Sequence, residues 1–241
     1  MRPFRGVFSW IPLLAVCLFS AACGGGCDFA VGVPAEQPRA AAPAPKANHP
    51  APKARPRVVA LGDSLTAGLG LVDSQAYPAV LQQRIDAEGY GFEVVNAGVS
   101  GDTSAGGVRR LDWALDGDVK VLILALGAND GLRGLSVEDL KQNLSTIITR
   151  ARERKVVVIL AGMEAPPNYG QEYANAFRQA YREIAEREKV LFLPFLLDKV
   201  AGQSTLNQGD GIHPNERGTR IVADNIWSVL KPLLDQMTAS S

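Results

Sequence analysis

From Arg57 onward, short apolar runs rich in Val, Ile and Leu alternate with longer segments in which apolar residues recur every three or four positions. The runs are Arg57–Leu61, Phe92–Asn96, Val119–Leu126, Val156–Ala161 and Val190–Leu193. Each is apolar on both faces, the pattern of a parallel strand covered by helices on either side. The periodic segments between and after them predict helices over Tyr77–Glu88, Ala105–Leu115, Val137–Arg154, Gln171–Glu188 and Glu216–Leu234. Strand and helix alternating five times predict an α/β fold, a doubly wound layer structure on a five-stranded parallel sheet. Ligands of such sheets bind beyond the carboxyl ends of the strands. Polar segments stand at four of those ends: Gly62-Asp63-Ser64, Asn96 to Thr103, Gly127 to Asp130 and Met163 to Gly170.

The chain ahead of Arg57 has a different character. A cationic start with Arg2 and Arg5 precedes an apolar stretch from Val7 to Ala22 that ends in Ser20-Ala21-Ala22-Cys23. That is the layout of a secretory signal. The other reading, a membrane anchor, needs an apolar run of about 20 residues, and this one is shorter. Cys23 behind two alanines resembles a bacterial lipoprotein site, at which the cysteine is lipidated, although Ser20 stands where Leu or a similar residue is expected. Ordinary cleavage after Ala22 is the alternative. The Ala- and Pro-rich stretch that follows has too few bulky apolar groups to offset the entropy of ordering, so it is expected to be a semi-rigid tether. The expected organisation is a signal at 1–22, a linker at 23–56, a catalytic domain at 57–236 and a tail at 237–241.

Composition narrows the chemistry. All three cysteines (Cys17, Cys23, Cys27) precede the domain, which leaves it without disulfide or thiol chemistry. Residues 1–56 hold six cations and two anions of the 25 and 25 in the chain, so the remainder is at about −4, with no basic run for nucleic acid. One domain histidine offers too few ligands for a metal, and no phosphate-binding glycine motif follows a strand. Neither a metal nor a cofactor is expected, which weighs against a metallohydrolase and a flavin module.

That single histidine, His213, follows Asp210 by three residues in Asp210-Gly211-Ile212-His213-Pro214. Such a loop lets Asp210 accept from Nδ1 and leaves Nε2 free to take a proton. A surface turn capping the next helix fits the same residues. Ser64, just beyond the first strand, is placed to be a nucleophile at a helix start, where N–H groups and a positive dipole end converge. Capping by Ser64 or Asp63 is the plainer reading. The elbow Gly-x-Ser-x-Gly of ordinary α/β-hydrolases is incomplete, because Thr66 stands at its second glycine. Asp102, Asp130 and Asn129 each suit a local turn.

Taken together, Gly62-Asp63-Ser64-Leu65, Asn96-Ala-Gly-Val-Ser-Gly-Asp-Thr103, Leu126-Gly-Ala-Asn-Asp-Gly-Leu-Arg-Gly134 and Asp210-Gly-Ile-His-Pro-Asn215 resemble the four motifs of the GDSL or SGNH hydrolases, in order, over Val58 to Leu234. Asn129 to Gly134 and Pro167 to Gly170 are similar to its acyl-CoA thioesterase I, arylesterase and lysophospholipase branch. The resemblance implies a flavodoxin-like three-layer sandwich. It also implies a serine esterase or thioesterase with Ser64 as nucleophile, Asp210 and His213 completing a triad, and Ser64, Gly101 and Asn129 as oxyanion donors. Leu65, Leu132 and Leu135 beside these loops, with Pro167 and Tyr169, are expected to wall a substrate groove, the alternative being that they only pack the loops. The expected partner is a small-molecule or lipid ester, and the expected location is the periplasm or, through Cys23, a membrane surface. A carbohydrate O-acetylesterase and a non-catalytic lipid-anchored binding protein are the competing functions.

Overall fold

A computed structural model describes residues 55–239. The expectations for the signal, for Cys23 and for almost all of the linker lie outside the described residues. Within them, five strands form one sheet: β1 (Arg57–Gly62), β2 (Glu93–Gly98), β3 (Val119–Ala125), β4 (Val157–Ala161) and β5 (Leu191–Leu193). All neighbours are parallel, in the order β2-β1-β3-β4-β5. The chain steps from β1 outward to β2 and then returns to the far side of β1 to begin β3. This reversal is the switch point of the flavodoxin-type order, and it opens a crevice at the carboxyl end of β1.

Seven helices surround the sheet: α1 (Ser64–Ala67), α2 (Tyr77–Ala87), α3 (Ser104–Ala114), α4 (Ala128–Leu132), α5 (Val137–Glu153), α6 (Gln171–Glu188) and α7 (Glu216–Ala239). Helices α3, α5 and α6 pack side by side, and α2 packs on α7. Their amphipathic spacing accounts for this. In α5 the buried residues are Leu140, Leu144, Ile147, Ile148 and Ala151, one stripe at helical period. The sheet between the layers is fully apolar at its centre, where Leu122, Ile123 and Leu124 are wholly buried. Each such side chain contributes about 1.5–3 kcal/mol relative to exposure.

The predicted elements appear with end shifts of a residue or two, except that the last helix runs five residues further, to Ala239. Two short helices, α1 and α4, were not signalled by periodicity, since four or five residues are too few to establish one. The expectation that every strand is apolar on both faces fails at the sheet edges. Residues of β2 are mostly half-exposed with Asn96 exposed, and Leu191 of β5 is exposed. An edge strand lacks a neighbour on one side, and there Gln82 of α2 stands in for one, accepting from Val94 N at 2.6 Å and donating to Phe92 O at 3.2 Å.

Close approach of backbone is what seats the turn that carries Ser64. A Cβ at Gly98, the last residue of β2, would fall 2.2 Å from Ala67 N, and one at Gly62 would fall 1.9 Å from Thr66 Oγ1 and 2.9 Å from Ala125 O. Helix α1 therefore lies directly on the strand ends, and Thr66 is buried there with its hydroxyl 2.8 Å from Tyr77 Oη. Because the contact at Gly98 is with main chain, no rotamer change can relieve it. Gly98→Ala is expected to destabilise the domain by about 1–3 kcal/mol, a fall in Tm of roughly 2–10 °C for a domain of this size. Gly91→Ala, with nothing near its would-be Cβ, serves as the control; equal melting of the two variants would contradict the close-packing account.

Candidate active site

Asp63 ends the turn after β1 and caps α1, its Oδ1 accepting from Leu65 N at 3.0 Å. That assignment resolves the choice between the two possible caps and frees Ser64. Ser64 is then the first helical residue, a position whose N–H has no partner within the helix. Its hydroxyl lies 2.9 Å from His213 Nε2, and His213 Nδ1 lies 2.6 Å from Asp210 Oδ2. Asp210 Oδ1 also accepts from the main-chain N–H groups of Ile212 and His213, each at 3.0 Å. These backbone bonds and the imidazole hold the Asp210 carboxyl down at about 2. Asp210 is thus anionic throughout the neutral range and holds the ring with Nε2 toward Ser64. The helix-capping alternative for this loop goes to another residue, for Asn215 caps α7 by accepting from Arg217 N and Gly218 N.

Ser64 and His213 open on a cleft of about 360 Å³. Its walls come from Leu65, from Ala128, Asn129 and Leu132 after β3, from Met163 to Pro167 after β4, and from Phe195 and Leu197 after β5. Glu164 at the wall is paired with Arg178 at 2.9 Å. The Phe195–Leu197 wall was missed in the sequence, where Pro194-Phe-Leu-Leu197 reads only as a continuation of the last apolar run. Gly101 does not line the cleft. It stands at the edge in a left-handed conformation (φ +81°), its carbonyl accepting from Arg133 at 2.8 Å. The loop after β2 is joined to the cleft through the next residue: Asn129 Nδ2 donates to Asp102 O at 2.9 Å, which leaves its second amide hydrogen for the cleft.

Two of the expected groove residues are elsewhere. Leu135 is exposed outside the cleft, its carbonyl taken by Tyr173 Oη at 2.8 Å. Tyr169 packs edge-on against Tyr173 and donates to Leu132 O at 3.2 Å, so it braces the α4 loop from outside. Both lie close in sequence to cleft residues, and proximity along the chain does not fix the side a loop residue faces. Asp102 and Asp130 are not turn formers either. Asp102 pairs with Arg110 at 2.7 Å, and buried Asp130 accepts from Ser104 N at 2.8 Å and Ser104 Oγ at 2.6 Å, tying α4 to the start of α3.

Asp63 is the residue whose weight the sequence concealed. It is wholly buried, its Oδ2 has no hydrogen-bond partner, and burial pushes its carboxyl up from 3.8 to about 6. Between pH 4 and 6 the folded protein therefore keeps a proton that the unfolded chain has released, so stability falls as pH rises through that window and stays lower above it. Asp63→Asn keeps the acceptor for Leu65 N and removes the charge. It is expected to melt above the wild type at pH 8, by up to about 3 kcal/mol in stability, and with it at pH 4. A melting difference independent of pH would contradict this.

Residues 60–221 match the GDSL-like Lipase/Acylhydrolase family. Esterase TesA of Pseudomonas aeruginosa is 44% identical over 178 residues, 73% of this chain and 89% of that protein. Thioesterase 1/protease 1/lysophospholipase L1 of Escherichia coli K12 is 36% identical over 176 residues, 73% of this chain and 83% of that protein. A crystal structure of TesA superposes with a TM-score of 0.71 at 43% identity, covering 73% of this chain and 99% of that one. The chain belongs to the GDSL-like lipase and acylhydrolase family.

Proposed function

We propose that the protein hydrolyses carboxylic esters and thioesters through an acyl-enzyme on Ser64. The observation that carries this is the Asp210–His213–Ser64 relay, at 2.6 and 2.9 Å, facing an apolar cleft. A serine hydroxyl is a weak nucleophile at its own pKa. His213 Nε2 takes its proton as Oγ attacks the acyl carbon, and the carbonyl π electrons move to oxygen. When the tetrahedral intermediate collapses, the bond to the leaving alcohol or thiol breaks and Nε2 returns the proton to it. Water then repeats the sequence, its proton going to Nε2 and its oxygen to the acyl carbon, and the acid leaves as Ser64 recovers its hydrogen. We assign the oxyanion to the Ser64 N–H and the free Asn129 amide hydrogen, both at the cleft, with the Gly101 N–H, outside its lining, as the third donor that the family resemblance implies, each such donor being typically worth about 3–4 kcal/mol.

The substrate reading follows the walls of the cleft. Leu65, Leu132, Met163, Pro166, Pro167 and Phe195 suit an acyl chain. The wall carboxylate Glu164 is occupied by Arg178, and sugar hydroxyls would need several free polar groups. We read the chain as exported by its first 22 residues, to the periplasm or to a membrane surface through Cys23. There, lipophilic esters and lysophospholipids are at hand, whereas acyl-CoA is a cytoplasmic metabolite.

Two outcomes test this. Ser64→Ala is expected to lower kcat at least a thousandfold with unchanged melting, the order of a lost triad member; wild-type turnover in that variant would remove Ser64 from the mechanism. For p-nitrophenyl esters, kcat/KM is expected to rise from acetyl into medium chains, by up to about 0.8 kcal/mol per buried methylene. Leu132→Ala should flatten the rise and Leu135→Ala should leave it intact. A peak at acetyl with good turnover of acetylated oligosaccharides would favour an O-acetylesterase.

A further inference from the structure

Arg110 of α3 has no place in the mechanism above, yet it bonds the carbonyls at the ends of β1 and β2 and the side chain of the residue after Gly101. Its side chain is 17% exposed and that of its partner Asp102 is 11% exposed. Nε donates to Asp102 Oδ2 at 2.7 Å, Nη1 to Ala97 O at 2.6 Å and Nη2 to Gly62 O at 2.7 Å. Gly62 closes β1 immediately ahead of Asp63 and Ser64, Ala97 lies at the end of β2, and Asp102 follows Gly101. One planar cation thus spans the nucleophile turn and the oxyanion loop.

The consequence reaches the cleft through main chain. Asp102 O is the acceptor that holds the Asn129 amide at 2.9 Å. Wherever the Asp102 carboxylate is drawn, its carbonyl, the Gly101 peptide before it and the Asn129 side chain follow. The helix makes room for this carboxylate, since a Cβ on Gly106 would fall 1.5 Å from Asp102 Oδ1. Three donors at fixed angles are needed for the bridge. A guanidinium supplies them from one rigid plane, whereas an ammonium is a single point at the end of a flexible stem.

We infer that Arg110 is a positioning residue for the hydrolysis: through Asp102 it sets the Gly101 and Asn129 donors against the Ser64 turn. This rests on the reading of Ser64 as the nucleophile. Misplacing donors by a fraction of an ångström weakens the transition state more than the ground state, so the loss belongs in kcat.

The test uses Arg110→Lys and Asp102→Asn in the full chain. Active sites are counted by the endpoint of covalent labelling with a p-nitrophenyl alkylphosphonate, so that any unfolded fraction is excluded. Per labelled site, Arg110→Lys is expected to lower kcat for p-nitrophenyl butyrate on the order of 10- to 100-fold with KM within about twofold. The rate of phosphonylation, which forms a tetrahedral anion at Ser64, should fall in parallel. Asp102→Asn, isosteric and still able to pack, should show a smaller loss of the same kind, and the double variant should be no worse than Arg110→Lys. Should Arg110→Lys fail to fold, Asp102→Asn carries the test alone. A wild-type kcat per labelled site in both variants, or a rise in KM at constant kcat, would overturn the assignment and leave the ion pair a structural one. Labelling of the wild type at a residue other than Ser64 would overturn the nucleophile reading as well, and the labelled peptide distinguishes the two failures.

Discussion

The active site depends on how closely helix α1 sits on the ends of β1 and β2. Gly62 and Gly98 have no room for a Cβ, because the chain of α1 occupies that space. So tight a turn places the serine directly above the end of β1, at the first helical position, with its N–H pointing out of the helix. The residue before it has nowhere to go but inward. Asp63 therefore caps the helix from a buried site, and the spare oxygen of its carboxylate is left without a partner.

A buried group with that defect is a standing penalty, and its persistence needs a physical reason. Serine, threonine or asparagine would cap α1 as well as aspartate does. What aspartate adds is an ionisable group whose pKa burial raises, the bond from Leu65 N and the charge of His213 opposing the rise. Asp210 and Asp63 thus lie in opposite environments. Asp210 is exposed, accepts three hydrogen bonds and is held anionic, and Asp63 is buried, its carboxyl pushed up to about 6. The stability lost on ionising Asp63 is the kind of local cost that clusters at functional sites.

Much of this was legible in the sequence, and the rest was not for definite reasons. Hydrophobic periodicity marks elements long enough to have a period, so five strands and five helices could be read from it, while of the two short helices the start at Ser64 was read only from its place after the first strand and α4, which bears Asn129, was not read. That Ser64, Asp210 and His213 come together was legible from the family resemblance and from the single domain histidine, while the residues alone fitted helix caps and a surface turn as well. Asp102 and Asp130 were misread as turn residues because their partners, Arg110 and Ser104, are fixed by packing of α3 rather than by adjacency to the turn. Leu135 and Tyr169 were misread for the complementary reason. Sequence distance placed them in the right loops, and only the packing of Tyr173 against those loops decided which way they faced.

The walls of the cleft and its reacting groups come from different parts of the sheet. The proposed reacting groups stand at the ends of β1 and β3, beside the switch point, and in the loop ahead of α7, with the Ser64 turn seated by the main-chain contact of Gly98 on Ala67. The walls facing them come from the connections after β4 and β5, Met163 to Pro167 and Phe195 with Leu197. These are pinned by main chain at their roots, where a Cβ on Gly162 would fall 2.3 Å from Pro194 O and Leu196 N donates to Gly162 O at 2.9 Å, and they reach the cleft through the side chains beyond. Loops held in this way tolerate exchange of residues without disturbing a scaffold. The consequence is a separation of roles within one crevice. Changes on the β4–β5 side alter which acyl group fits, while the distance from Ser64 to His213 stays fixed by α1 and its glycines. Substrate therefore has to be argued from the walls and mechanism from the strand ends.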